Sequence, residues 1–267
     1  MLNYAKKAYW FFRERTRNFL RDTVVDTVKP CTVRGHKLKI GLSNPLEGYR
    51  IATYETKEPE TLDWIELSLH ANDVFFDIGA NIGLYSVFAA KVQPKAKVYA
   101  FEPSIPNFSR LFRNMLNNGI TNMTPMNLAV SGTTMLDYFH MSEWLNGAAL
   151  HGFGGKFDFA QDKPSNIPLK YGTFGISLDD LVYKHGLPHP NLVKLDVDSI
   201  EEQIIKGGNR VLSDPSCRSV LVEVLTKEGE LGHIHSLLSA HGFKQVLVSD
   251  WSVKNGEFTA RNYIFSK

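Results

Sequence analysis

Val74 to Ala90 reads VFFDIGANIGLYSVFAA: a short apolar strand, a turn through Asp77-Ile78-Gly79-Ala80-Asn81-Ile82-Gly83, then helix-like sequence. Small residues in such a turn let the backbone approach a ligand closely, and the helix that follows offers unsatisfied N–H groups. A second strand, Lys97 to Phe101, ends at Glu102, about two dozen residues beyond Gly79. An acidic side chain there can accept hydrogen bonds from both hydroxyls of a ribose. Together the two strand ends point to an enzyme that binds an adenosine-containing cofactor.

Outward from this unit, strands and helices alternate. Helix-like stretches near Leu84–Val92 and Pro106–Asn117 flank the Lys97–Phe101 strand, and a strand near Met126–Val130 follows. Asn191 to Leu195 is a further strand, ending in Asp196-Val197-Asp198 before a helix over Ile200–Ile205 that stops at Gly207-Gly208. Ser219–Val224, a helix near Gly229–Ala240, Phe243–Val248 and Asn262–Phe265 close the chain. This α/β alternation implies a mostly parallel sheet covered on both faces, with ligands at the C-terminal strand ends.

The rhythm is broken twice. From about residue 131 to 175 a Gly- and aromatic-rich insertion is expected to form a mobile loop or a small hairpin over the site. Residues 1–70 read as an elaboration on the front of a catalytic domain over 71–267, because no polar linker separates them from Val74. That front holds a hairpin over Cys31–Arg34 and Lys37–Ile40, placed after Pro30 because proline cannot donate to a ladder. A strand-like run, Arg50–Tyr54, and a helix over Pro59–His70 follow.

Composition bounds the function. The 267 residues suffice for a large core, and 43% hydrophobic with 22% charged is ordinary for a globular chain. A net charge of +2 does not point to nucleic acid, and two distant cysteines, Cys31 and Cys217, fit a reducing, cytoplasmic setting. The charge is uneven: residues 1–40 carry ten Lys or Arg against Glu14, Asp22 and Asp26. Residues 2–22 are basic and rich in Trp and Phe, so they admit two readings. One is a helix packed on its own domain or a partner subunit; the other is peripheral contact with an anionic membrane. No apolar run is long enough to span a bilayer, and the N-x-S/T matches at Asn107 and Asn122 argue little without a secretion signal.

The turn separates two cofactors. A dinucleotide needs G-x-G-x-x-G, but counting from Gly79 the second glycine is Asn81 and the third is Leu84. An acid two residues before the first glycine, with an alternating register, suits S-adenosyl-L-methionine (SAM). Asp77 could meet its ammonium directly or through water, and Gly79 permits close approach.

The blocks VFFDIGANIGLYS, VYAFEPS, MNLAVS, ISLDDL, NLVKLDVDSIEEQIIKGG and LVEV, in that order, resemble the FkbM family of SAM-dependent methyltransferases over roughly residues 50 to 267. The resemblance implies a class I methyltransferase (Rossmann-like) fold, with a seven-stranded sheet whose last strand is antiparallel. It implies O-methylation of a hydroxyl on a sugar, glycan, glycolipid or related small-molecule metabolite. It also implies that Asp77, Gly79, Asn81 and Gly83 line the methionine end, that Glu102 takes the ribose hydroxyls, and that Asn107 lies near the adenosine. Asp196 would face the methyl-transfer centre. The chain departs from the family at Asp198-Ser199, where the family has Glu-Gly; Ser199 could cap the next helix with Glu202 in a capping box.

A sugar hydroxyl is a poor nucleophile, so a base that removes its proton during attack would help. Asp196 and Asp198 are candidates for base and acceptor-orienting carboxylate, or for ligands of a divalent cation with Glu223 nearby, although no full metal set can be named. His140 and His151 are alternative bases, and Trp144 and Phe153 could stack on a sugar face. The competing classes are a nicotinamide-dependent oxidoreductase and a non-catalytic, membrane-peripheral adaptor on a retained nucleotide-binding fold.

Overall fold

The computed structural model describes residues 26–154, 169–197, 200–226, 230–249, 253–255 and 258–267. The basic aromatic segment 2–22 and the Asp198-Ser199 departure lie outside them. In chain order the front comprises β1 (Thr27–Val33), β2 (His36–Leu42), α1 (Pro45–Ala52) and α2 (Pro59–Ser68). The next run is β3 (Val74–Ile78), α3 (Leu84–Val92), β4 (Lys97–Phe101), α4 (Ile105–Asn117) and β5 (Met123–Met126). Then come β6 (Ala129–Val130), β7 (Met135–His140), β8 (Gly152–Phe153), β9 (Lys170–Ile176), α5 (Leu178–Tyr183) and β10 (Leu192–Leu195). The chain closes with α6 (Glu201–Lys206), α7 (Asn209–Ser213), β11 (Ser219–Thr226), α8 (Glu230–Ala240), β12 (Lys244–Val248), β13 (Val253–Asn255) and β14 (Phe258–Ser266).

The main sheet runs β12-β14-β11-β10-β3-β4-β5, with β13 added on β14. Strands β3, β4, β5, β10 and β11 are mutually parallel, whereas β14 lies antiparallel between β11 and β12. This is the expected seven-stranded class I arrangement with a reversed last strand. Its strand order turns back between β3 and β10, and that switch point is where open α/β sheets bind ligands. Successive β3 side chains enter opposite cores: Phe76 and Ile78 join one cluster, Phe75 the other. No helix of the described residues is long and apolar enough to cross a membrane.

The front differs from the sequence expectation in two places. Pro30 lies inside β1, opposite Lys39. Lys39 donates its N–H to Asn118 Oδ1 on α4 (2.9 Å), so the Pro30–Lys39 pair exchanges no ladder bonds and proline loses nothing there. Arg50 to Ala52 belongs to α1 rather than to a strand, because Asn44 accepts from Glu47 N (3.0 Å) and Pro45 opens the first turn. Buried Arg110 of α4 then binds Glu47 (2.6 Å), fastening α1 to the catalytic layer.

The 131–175 insertion is a second sheet, ordered β6-β9-β7-β8, with β7 and β9 antiparallel. The expected Met126–Val130 strand is divided: β5 ends at Met126, and Ala129–Val130 pairs with β9 instead. Asn127, at the break, donates to the carbonyls of Glu102 and Pro103 (both 2.9 Å).

Candidate functional site

A cleft opens at the C-terminal ends of β3, β4, β10 and β11. Gly79, Asn81, Glu102, Asn107 and Asp196 line it, together with Arg50, Lys57 and Glu223. A recess beside it shares Arg50, Lys57, Gly79, Asn81 and Asp196 and reaches Tyr54, Glu58 and Tyr85. The sequence-predicted residues thus meet here, with four exceptions.

The glycine turn is fastened on two sides. Gly79 N and Ala80 N both donate to Phe101 O (3.0 Å each), and Gly79 adopts φ +80°. A Cβ at Gly79 would stand 1.8 Å from the Asp196 carbonyl oxygen, so this glycine serves the closure of β3 on β10 as well as any ligand. Asn81 also takes a left-handed conformation, φ +52°, with its Oδ1 accepting from Ile82 N (2.8 Å). Asn81 N donates to Glu102 Oε2 (2.7 Å) and Ser104 N donates to Oε1 (2.8 Å). These two bonds orient the Glu102 carboxylate, a group whose two acceptor oxygens suit a pair of ribose hydroxyls. Glu102→Gln should weaken SAM binding about ten- to a hundredfold, the worth of a charge-assisted hydrogen bond, as read by calorimetry; unchanged affinity would remove Glu102 from the site.

Asp77 is the first exception. It is fully buried beneath the turn, outside the cleft lining, accepting from Ser86 Oγ (2.5 Å) with Oδ1 3.7 Å from Lys194 Nζ. Burial raises its carboxyl, opposed by Lys194 and Ser86. The expectation that it meets the ammonium at the cleft surface is therefore corrected: it supports the turn from below. Gly83 is the second exception. It precedes α3 with φ +81°, and a Cβ there would come 2.8 Å from Leu111 Cγ, so it serves the close packing of α3 on α4.

His140 is the third exception. Alternation along β7 turns Phe139 toward the cleft and His140 away, beside Tyr138 (ring centroids 6.5 Å). His151 lines the cleft instead, and its Nδ1 accepts from Ser142 N (3.1 Å). That bond occupies Nδ1, which cannot act as a base while it is made. Phe153 joins the lining, while Trp144 is exposed and outside it. Asp198, the fourth, lies outside the described residues. Glu202 pairs with Lys206 (2.5 Å), α6 starts after Ile200, and Ser199, the expected cap, lies outside the described residues.

Asn107, expected near the adenosine, holds the insertion down. It accepts from Gly147 N (2.7 Å) and donates to Ala148 O (3.0 Å), which Asn81 Nδ2 also reaches (2.9 Å). Arg50 Nε donates to Gly147 O (2.8 Å) and Asn44 to Asn146 O (3.1 Å). Residues 146–148 thus form a strap bound by four side chains from different elements. Asn107→Ala removes two of these bonds; amide exchange at 146–149 should rise about tenfold or more, and unchanged exchange would refute the strap.

At the end of β10, Lys194 Nζ lies 2.7 Å from Asp196 Oδ2. Burial would raise the Asp196 carboxyl, but Lys194, then Lys57, and a hydrogen bond with Glu223 hold it below its ordinary value. Burial would lower Lys57, but Glu58, Asp196 and Glu223 hold it up. Arg50 and Lys57 come from the front of the chain; Arg50 is hidden by the strand-like reading of Arg50–Tyr54, and Lys57 sits in the connection before α2, which carries no motif. Among the described residues no group of three His, Cys, Asp or Glu side chains is arranged to hold a metal ion.

These residues fit a sulfonium cofactor. Carboxyls of Glu58, Asp77, Asp196 and Glu223 surround the ammoniums of Lys57 and Lys194, an acid excess suited to a cationic ligand. Gly79 lines the cleft without a side chain, and the Glu102 carboxylate beside it has the chemistry to meet a ribose. Sheet order, switch-point cleft and carboxylate floor define a class I, SAM-dependent methyltransferase. Residues 77–244 match the family described as Methyltransferase FkbM domain, and the chain belongs to that family. The nicotinamide-dependent alternative falls with that assignment.

Among relatives, the chain is 28% identical over 203 residues to the 31-O-demethyl-FK506 methyltransferase FkbM of Streptomyces tacrolimicus, covering 69% of this chain and 77% of that one. It is 29% identical over 163 residues to the hexuronic acid methyltransferase AglP of Haloferax volcanii, covering 57% and 56%. Among solved structures, P. horikoshii TYW2 in complex with MeSAdo is 12% identical with a TM-score of 0.49, over 91% of this chain and 72% of that one.

Proposed function

We propose that this methyltransferase methylates the oxygen of an uncharged hydroxyl, on a sugar, a glycolipid or a related small metabolite. The observation that carries the reading is Asp196, a carboxylate at the cleft with Lys194 Nζ 2.7 Å from its Oδ2 and with Lys57 and Glu223 lining the cleft beside it. Bound SAM supplies an electrophilic methyl on sulfur, whose carbon–sulfur electron pair leaves with sulfur as the acceptor oxygen takes the methyl. Asp196 accepts the hydroxyl proton during attack and returns it to water, while Glu223 orients the acceptor. Glu102, Gly79 and Asn81 would hold the cofactor beside it, and the strap over 146–148 would exclude water.

An acceptor carboxylate needs no base and would enter a cleft already rich in acids. That distinguishes the hydroxyl reading from the ester reading that the hexuronic acid relative invites. Transfer of labelled methyl from SAM to sugars and uronic acids, followed by mild alkali, separates them. Label that resists alkali is an ether and supports the proposal; label released as methanol is an ester and sinks it.

A further inference from the structure

We infer that Lys194 is the positioning residue of this site: its ammonium, sealed under the cleft, ties Asp196 to Asp77 behind the glycine turn and keeps Asp196 able to take the acceptor's proton. The inference rests on the hydroxyl reading above. Lys194 lies on β10 and Asp196 just past its end, where their side chains meet, while Lys194 stands directly opposite Asp77 of β3 in the sheet register. Its Nζ lies 2.7 Å from Asp196 Oδ2 and 3.7 Å from Asp77 Oδ1, with the Tyr85 ring 5.2 Å away.

The lysine side chain is only 1% exposed, and its neighbours along β10, Val193 and Leu195, are apolar. Lysine is almost never fully buried, and a buried ion pair adds little stability over apolar residues of the same volume. Stability alone would be served as well by apolar residues in place of the whole buried cluster, lysine and its carboxylates together, so the charges have a use.

The groups facing Asp196 show what that use is. Glu223 approaches from β11, Asp77 from β3, Lys57 and Glu58 from the segment entering α2, and Tyr54 and Tyr85 from the front and α3. Without Lys194 the carboxyls of Asp77 and Glu58 would favour protonated Asp196, and only the Lys57 ammonium and the Glu223 hydrogen bond would oppose them. A protonated Asp196 cannot accept the hydroxyl proton. Lys194 itself stays charged: burial would lower it, but Asp196, Asp77 and Glu58 hold it above the ordinary lysine value. Because the same ammonium also meets Asp77, the turn that carries the cofactor and the base that serves the acceptor share one anchor.

The test compares Lys194→Gln, Asp196→Asn and the double variant. In Lys194→Gln the acid limb of the kcat–pH profile should move up by about one pH unit or more, costing about tenfold in rate below it and recovering at high pH. The double variant should be no slower than Asp196→Asn alone, since both changes act through one carboxylate. An unmoved acid limb, or additive losses, overturns the inference. Should Lys194→Gln fail to fold, carboxyl 13C spectra of the unmodified protein without cofactor decide. The Asp196 signal, identified by its loss in Asp196→Asn, should titrate below an ordinary aspartate; titration at or above the ordinary value overturns the inference. Full turnover by Asp196→Asn would instead reject the hydroxyl reading, and the role of Lys194 with it.

Discussion

Asp196→Asn should bind SAM and lose between about a hundred- and ten-thousandfold in kcat, the range general-base catalysis supplies. Asparagine keeps the shape and the acceptor oxygen that Lys194 reaches, but it cannot take a proton. Because the lost interaction belongs to the transition state, kcat and kcat/KM should fall together while KM for the acceptor changes little. Folding must be checked in parallel. Removing one partner of a buried ion pair can cost about 3–5 kcal/mol, although here Asp77 stays within reach of Lys194. A melting temperature near that of the unmodified protein with turnover lost assigns the effect to chemistry. Turnover that survives would leave the hydroxyl without its base. A rise in acceptor KM at constant kcat would make Asp196 a binding group only.

The parts of this site that were legible in the sequence are those written in backbone geometry. Gly79 and Asn81 need left-handed conformations, and Glu102 follows a strand whose length sets its place. The alternation of strands and helices fixed the C-terminal edge as the site's position. What local pattern could not supply was depth. Asp77 and Gly83 belong to the same short motif as Gly79, yet one faces inward to Ser86 and Lys194 and the other packs on Leu111. A turn of successive left-handed residues distributes side chains in three directions, and only packing reveals which one meets solvent. His140 and His151 exchanged places for a related reason: alternation along β7 turns Phe139 inward, and β7 must first be located to know its phase. Arg50 escaped notice because Tyr and Ile in Arg50–Tyr54 suggest a strand, and the decisive signal, Asn44-Pro45 as cap and first helical position, lies several residues earlier. Lys194 gave no signal at all, since an apolar strand interrupted by lysine ordinarily means an exposed edge.

Gly79→Ala should be the most damaging small substitution in the chain. Two costs combine. Alanine at φ +80° pays the steric penalty of the left-handed region, about 1–2 kcal/mol. The added Cβ would also stand 1.8 Å from the Asp196 carbonyl oxygen and 2.8 Å from its carbon, which are backbone atoms that no rotamer change can move. Overpacking of this kind costs typically 1–3 kcal/mol, so the pair removes about 2–5 kcal/mol from a fold stabilised by about 5–15. At about 2–4 °C per kcal/mol the melting temperature should fall by roughly 5–15 °C. The relief available is to push β3 and β10 apart, which moves Gly79 and Asp196, and both line the cleft. Affinity for SAM should therefore be lost even well below the new melting temperature. Gly83→Ala is the control, with nearly the same φ and a clash of 2.8 Å, but against the Leu111 side chain and away from the cleft. It should lower stability and leave SAM binding largely intact. Were Gly79→Ala to bind SAM as the unmodified protein does, the two strand ends could separate without consequence, and cofactor turn and base could not share an anchor through Lys194.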